Sequence, residues 1–292
     1  MSPRLLALPG NEAMTEGLTR ATGWSSDTVA VHVFPDGECL PTLPADIFGR
    51  DILLICTLDH PDAKLVPLLF TAQAARRQGA RSVGLVAPYL CYMRQDLQFH
   101  PGEAITSRAF AGMVSQHFDR LVTIDPHLHR YRSLAEIYAI PATALHAGPA
   151  VAAWIRDNVM HPFLIGPDAE SHQWVSRVAA DCGANFNTLR KQRHGDTKVA
   201  ESPLNLPDDV TPVLLDDIVS SGATILATLA QLPAPARTKA VVVGIHSLMA
   251  TQTVAAIQSN CARLVASNTV MTPFSEIDVT SILARHLEKE FA

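Results

Sequence analysis

The chain has 292 residues, enough for two ordinary domains or one large one. Hydrophobic residues make up 48% and charged residues 17%, which supplies a core and excludes disorder as the main state. The net charge is −5 and no polybasic run occurs, which excludes a large basic nucleic-acid face.

No run approaches ~18 consecutive apolar residues, so no membrane-spanning helix is expected. The first residues lack the apolar core of a secretory leader. Cys39, Cys56, Cys91, Cys182 and Cys261 never fall in a CxxC spacing. They read as reduced thiols of a cytoplasmic protein, with neither a disulfide framework nor a structural zinc.

Short apolar runs alternate with helical patterns from end to end. In the first half, strands are expected at 4–8, 28–33, 51–57, 82–87 and 120–124. In the second half they are expected at 143–146, 162–165, 185–189, 212–215, 239–245 and 263–266. Runs such as DILLICT and AVVVGIH lack polar alternation, which suits strands buried on both faces. Helices are expected at 12–20, 65–78, 105–117, 151–158, 170–181, 224–231, 254–260 and 279–291. The second of these should begin near Val66, with Pro67 in its first turn. This alternation points to an α/β fold with parallel sheets and right-handed crossovers. The HAGP segment near 145–149 marks a soft boundary, and the two halves read as two copies of one α/β fold. We therefore expect domains at 1–146 and 147–292, with the last helix free to pack back on the first.

Six segments carry chemistry. Phe34–Glu38 reads FPDGE, which alone is a Pro-Asp-Gly turn. YMRQDLQFHPGEAIT spans 92–106 and follows a strand. Arg94 can stack on a base or bind phosphate, while Gln95 and Asp96 offer donor and acceptor groups to an amine-bearing base. A polar hairpin loop would explain the same residues. IDPHLHR at 124–130 places His127 and His129 two apart at a strand end, as metal ligands or as solvated loop histidines. In IGPDAE at 165–170, Asp168 either caps the next helix or meets a metal-bound phosphate. LRKQR at 189–193 leads into HGD, a basic cluster that either closes over phosphates or forms a solvated face.

The sixth segment is PVLLDDIVSSGAT at 212–224. An apolar strand delivers Asp216 and Asp217, then a small-residue loop leads into a helix. Successive N–H groups of such a loop form an anion nest, and the helix N-terminus adds its positive end. Ser220, Ser221 and Thr224 add hydroxyl donors, and Gly222 permits close backbone approach. Carboxylates suit ribose hydroxyls better than phosphate, so the segment is built for a sugar phosphate. A strand-to-helix turn with Asp and Ser caps is the plainer reading.

This last segment resembles the PRPP-binding motif of type I phosphoribosyltransferases and PRPP synthetases. The order FxDGE, RQD, DxH, PDxx, KxR, DDIVxSGxT resembles ribose-phosphate pyrophosphokinase over nearly the whole chain. The resemblance implies two tandem type I phosphoribosyltransferase-like domains, each with a mainly parallel sheet flanked by helices. It implies transfer of the diphosphoryl group of ATP to the C1 hydroxyl of ribose 5-phosphate, giving PRPP and AMP. It assigns Phe34, Asp36, Glu38, Arg94, Gln95 and Asp96 to ATP, and His127 and Asp168 to Mg²⁺. It assigns Lys191 and Arg193 to a mobile catalytic loop. Asp216 and Asp217 would hold the ribose hydroxyls, and Ser220, Ser221, Gly222, Ala223 and Thr224 the 5-phosphate. It also implies a homo-oligomer in which the FPDGE loop reaches a neighbour's ATP site.

Two departures stand out. Family members carry a glycine shortly after PD, whereas this chain reads PDAESHQW. The acidic pair is followed by IVSSGAT rather than by a loop bearing Asp or Thr. Three other readings follow: a phosphoribosyltransferase that consumes PRPP, a non-catalytic regulatory paralogue, and a metal hydrolase built on His127 and His129. The first leaves RQD and FPDGE without a role, and the third needs an eightfold barrel.

Overall fold

The computed structural model describes residues 2–98, 100–168, 171–189 and 206–292. It divides into two compact units, residues 1–146 with 280–292, and residues 147–279. Among the described residues, no helix is long and apolar enough to cross a membrane.

The first unit begins with β1 (Arg4–Ala7), α1 (Glu12–Thr22) and β2 (Ser26–Thr28). A hairpin follows, β3 (Ala30–Val33) and β4 (Cys39–Thr42), antiparallel and separate from the main sheet. Next come β5 (Asp51–Ile55), α2 (Pro61–Arg77), β6 (Ser82–Ala87), α3 (Thr106–His117), β7 (Arg120–Ile124) and β8 (Ala142–Leu145). Six strands form one parallel sheet in the order β2-β1-β5-β6-β7-β8. All five residues of β5 are buried, which explains its apolar run Ile52–Ile55, while Asp51 at its start pairs with Arg81.

The second unit holds α4 (Gly148–Asn158), β9 (Pro162–Gly166), α5 (His172–Cys182), β10 (Asn185–Thr188), β11 (Thr211–Val219) and α6 (Ala223–Gln231). It continues through α7 (Ala234–Arg237), β12 (Val241–Ser247), α8 (Thr251–Gln258), β13 (Arg263–Ser267) and β14 (Ser275–Ile277). Its sheet is also parallel, ordered β10-β9-β11-β12-β13-β14. Ile165, Leu214, Val242 and Leu264 from four adjacent strands pack on Ile225 and Leu229 of α6 and Ile257 of α8. The two sheets share one winding, in which the second strand flanks the first and the rest add on its other side.

The last helix, α9 (Thr280–Glu290), belongs to the first unit. Its buried face, Leu283, Ala284 and Leu287, meets α1, where Met14 and Leu18 are buried. A Cβ at Gly17 would lie 3.0 Å from Thr280 Cγ2, so the glycine lets the two helices close. Phe291 then takes Trp24 edge-on at 5.8 Å and the Arg120 guanidinium at 4.5 Å, while Arg120 Nη1 donates to Glu290 at 2.8 Å.

Several expectations need correction. The strand expected at 28–33 is two short pieces, and its return strand β4 was not foreseen. Helix α2 starts at Pro61, four residues before the expected 65, and Pro67 lies inside it. Strand β11 runs to Val219, past the expected end at 215, so Asp216 and Asp217 lie within the strand. The short α7 and β14 were not expected.

Candidate active site

In the second unit, strand order reverses between β9 and β11. Open parallel sheets receive ligands beyond the carboxyl ends of strands at such a point. Two of the six segments sit there. The loop after β9 holds Asp168, and the end of β11 holds Asp216, Asp217 and the turn into α6.

Asp216 is pushed up to about 8. Burial is the main cause, followed by the charge and hydrogen bond of Asp217, and then by the charge of Asp168. The three carboxylates therefore share one crevice. Asp217 Oδ1 accepts the Ile218 N–H at 2.8 Å. Gly222 has φ +70, and a Cβ there would lie 2.6 Å from Thr253 Cγ2. Only glycine fits both that backbone and that gap, and it seats the loop on α8. Gly222 brings no side chain of its own to the start of α6, so the N–H groups of that turn are left to the loop hydroxyls and to an anion. Ser221 Oγ accepts the Ala223 N–H at 3.4 Å, and Ser221 and Ala223 are exposed. Ser220 and Thr224 flank them, both half-buried.

Asp168 Oδ1 accepts the Ser171 N–H at 2.9 Å, and Ser171 Oγ donates to the Asp168 carbonyl at 2.7 Å. The carboxylate thus holds the turn into α5 as well as facing Asp216. A Cβ on Gly166 would collide with Ser171 Oγ, so this turn closes only over glycine. His172 turns to β10, meeting Thr188 Oγ1 at 3.1 Å and the Phe186 ring at 5.4 Å. Ala169, Glu170, Lys191 and Arg193 lie outside the described residues.

In the first unit, β6 and β7 are parallel neighbours, so the segments that follow them meet. Arg94 and Gln95 are exposed, whereas Asp96 is buried and accepts from Arg130 Nη1 at 2.6 Å. The Asp96 carbonyl accepts from Tyr131 Oη at 3.2 Å, which in turn pairs with Ser107 Oγ at 3.1 Å. Asp96 therefore fixes the loop that presents Arg94 and Gln95. Sequence reading missed Arg130. The adjacency of the two strands was the signal that could have found it.

Asp125 and His127 both have positive φ, 35° and 53°. Such backbone strain in non-glycine residues clusters at functional sites. His129 Nε2 lies 3.0 Å from His127 Nδ1, and Asp125 Oδ1 lies 2.9 Å from His146 Nδ1. The FPDGE segment is the tip of the β3–β4 hairpin. The Phe34 N–H donates to the Glu38 carbonyl at 2.8 Å, and the Glu38 N–H to Asp36 Oδ1 at 3.2 Å. Phe34, Asp36 and Glu38 are all exposed.

The sequence profile of the N-terminal domain of ribose phosphate pyrophosphokinase matches residues 4–117. The profile of the phosphoribosyl transferase domain matches residues 133–269. A ribose-phosphate pyrophosphokinase of Halobacterium salinarum is 30% identical over 248 residues, covering 84% of this chain and 86% of its own. The chain belongs to the ribose-phosphate pyrophosphokinase family.

A ribose-phosphate pyrophosphokinase of Methanopyrus kandleri is 29% identical over 259 residues, covering 87% of this chain and 88% of its own. The phosphoribosylpyrophosphate synthetase of Mycobacterium smegmatis has the same fold. It superposes with a TM-score of 0.83 over 100% of this chain and 99% of that one, at 18% identity. The crevice of the second unit falls within the residues matched by the phosphoribosyl transferase profile, and Asp96 within those matched by the N-terminal profile.

The donor set fits a hard divalent cation at Asp168. Three carboxylates crowd one crevice, and a cation would relieve the repulsion that adds to burial in raising Asp216. The paired imidazoles of His127 and His129 are softer donors.

Proposed function

We propose that the chain transfers the diphosphoryl group of ATP to the C1 hydroxyl of ribose 5-phosphate, giving PRPP and AMP. PRPP synthesis is the reaction of its family, and the chain is an enzyme of the transferase class. The single observation that carries the reading is the crevice beyond β9 and β11. It joins an acid pair, a glycine-seated loop and a helix start that follows it directly.

Asp216 and Asp217 accept hydrogen bonds from the ribose hydroxyls. The N–H groups of Ser220–Thr224 and the start of α6 hold the 5-phosphate. Arg94 and Gln95 contact ATP, with Asp96 holding their loop in place. Phe34, Asp36 and Glu38 complete an ATP site from the hairpin tip. Asp168 and, separately, His127 are the residues that would hold Mg²⁺, which would supply charge neutralisation for the diphosphate. Lys191 and Arg193 add cations that act on the transferring group. Such transfer depends on positioning and electrostatics more than on covalent chemistry, which suits this inventory. The enzyme works in the cytoplasm as a homo-oligomer. Exposed Val33, Phe34 and Leu40 on the hairpin and Val66 and Phe70 on α2 offer a second copy an apolar surface.

Replacing Asp217 tests the assignment. Asp217→Ala removes an acceptor from the sugar hydroxyls, a loss of ~1.5–3 kcal/mol. The KM for ribose 5-phosphate should rise roughly 10–150-fold while the KM for ATP stays within about threefold. Loss of ATP affinity with unchanged ribose 5-phosphate affinity would move the sugar elsewhere.

A further inference from the structure

The first unit has the same winding as the second, so it also has a reversal point, between β1 and β5. The equivalent crevice lies beyond the carboxyl ends of those strands. In the second unit that place is lined by carboxylates and a phosphate-type loop. In the first unit it holds a cavity of about 230 Å³ lined by Leu8, Pro9, Val31, Val33, Ala63 and Pro67, with Cys56 and Lys64.

The floor is built rather than loose. Buried Asn11 bridges the two strand ends. Its Oδ1 accepts the Thr57 N–H at 2.7 Å, and its Nδ2 donates to the Leu8 carbonyl at 3.1 Å. Lys64 is held by the Thr57 carbonyl at 3.0 Å and by an ion pair with Asp59, so it brings no uncompensated charge. Burial pushes the Cys56 thiol up to about 12, which keeps it a neutral wall. The roof is the β3–β4 hairpin. Val31 and Val33 line the cavity from it, yet Val33 is still 63% exposed. The hairpin therefore covers the cavity without filling it.

An apolar cavity of roughly 150 Å³ accepts one benzene ring. A cavity of about 230 Å³ leaves room for a second fused ring. Apart from Lys64, which Thr57 and Asp59 engage, the lining side chains are apolar or a neutral thiol. We propose that the cavity beyond β1 and β5 binds one flat bicyclic aromatic ring, and that an occupied cavity holds the hairpin carrying Phe34–Glu38. A ring wedged under Val31 and Val33 adds an apolar contact beneath the hairpin. Any effect on catalysis rests on the reading of Phe34–Glu38 as an ATP loop. Binding and hairpin ordering do not rest on it, and both are read without turnover.

5-Fluoroindole is the probe. Its fluorine resonance, followed while intact protein is added, should shift saturably with a Kd of roughly 0.1–1 mM, the range open to a fragment of that size. Hydrogen exchange at the amides of Ala30–Val33, Cys39, Leu40 and Thr42 should slow at least about threefold with the probe present. Ala63→Phe, on an exposed position of α2, puts a ring into the cavity and should abolish both effects. Val33→Phe does the same from the hairpin and serves as the second variant. The proposal is overturned by a shift that does not saturate, by an equal shift in both variants, or by binding that leaves hairpin exchange unchanged.

Discussion

Asp216 shows how one side chain reports on its site. Unfolded, its carboxyl loses its proton near pH 4. Folded, burial beside Asp217 and Asp168 keeps that proton to about pH 8. The folded state binds the proton more tightly, so the contribution is complete below about pH 4 and is lost as the pH climbs to about 8. Asp216→Asn has nothing to titrate. It should therefore gain stability over the parent protein as the pH rises from 5 to 8, by on the order of 1–3 kcal/mol at the upper end. Urea unfolding at pH 5, 6.5 and 8 measures this, and a difference independent of pH would refute the shared-crevice picture. At this scale the sequence was partly legible. The acid pair and the small-residue loop could be read because one short segment holds all their parts. The role of Asp96 could not, since its partner Arg130 lies 34 residues away and becomes a neighbour only through the sheet.

Gly222 joins strand to helix, and its requirement is geometric. Alanine there would need φ near +70 and would place a methyl 2.6 Å from Thr253 Cγ2. Left-handed backbone alone costs about 1–2 kcal/mol in an L-residue. We expect Gly222→Ala to lower stability by roughly 1–3 kcal/mol and to raise the KM for ribose 5-phosphate, because the start of α6 moves with the loop. Calorimetry together with steady-state kinetics checks this, and an unchanged Tm with an unchanged KM contradicts it. Buried strands were the easiest elements to read, since β5 and β12 are buried on both faces and mostly apolar. The β3–β4 hairpin was hard to read. Its strands are short, its surface is mostly exposed, and Pro41 interrupts β4. The start of α2 was misplaced because two prolines, Pro61 and Pro67, compete for the first-turn position.

Across the whole molecule, one winding is used twice for two chemistries. The duplication was legible from strand-helix alternation, and the return of α9 to the first unit was read only as an option, because Met14 and Thr280 are separated by 266 residues. Phe291 closes that attachment between Trp24 and Arg120. An aromatic pair and a cation–π contact together contribute about 1–2 kcal/mol. Phe291→Ala should shift the urea transition reported by Trp24 fluorescence by that amount. Transitions reported from the second unit should stay in place. A common shift of both would mean that the units unfold together. The family reaction itself is tested most directly by the phosphorus balance of one mixture. Protein, ATP, Mg²⁺ and ribose 5-phosphate are combined and followed by phosphorus-31 NMR. The account predicts AMP and PRPP in equal amounts, with neither formed when ribose 5-phosphate is left out. Formation of ADP in place of AMP, or no turnover at all, would contradict it.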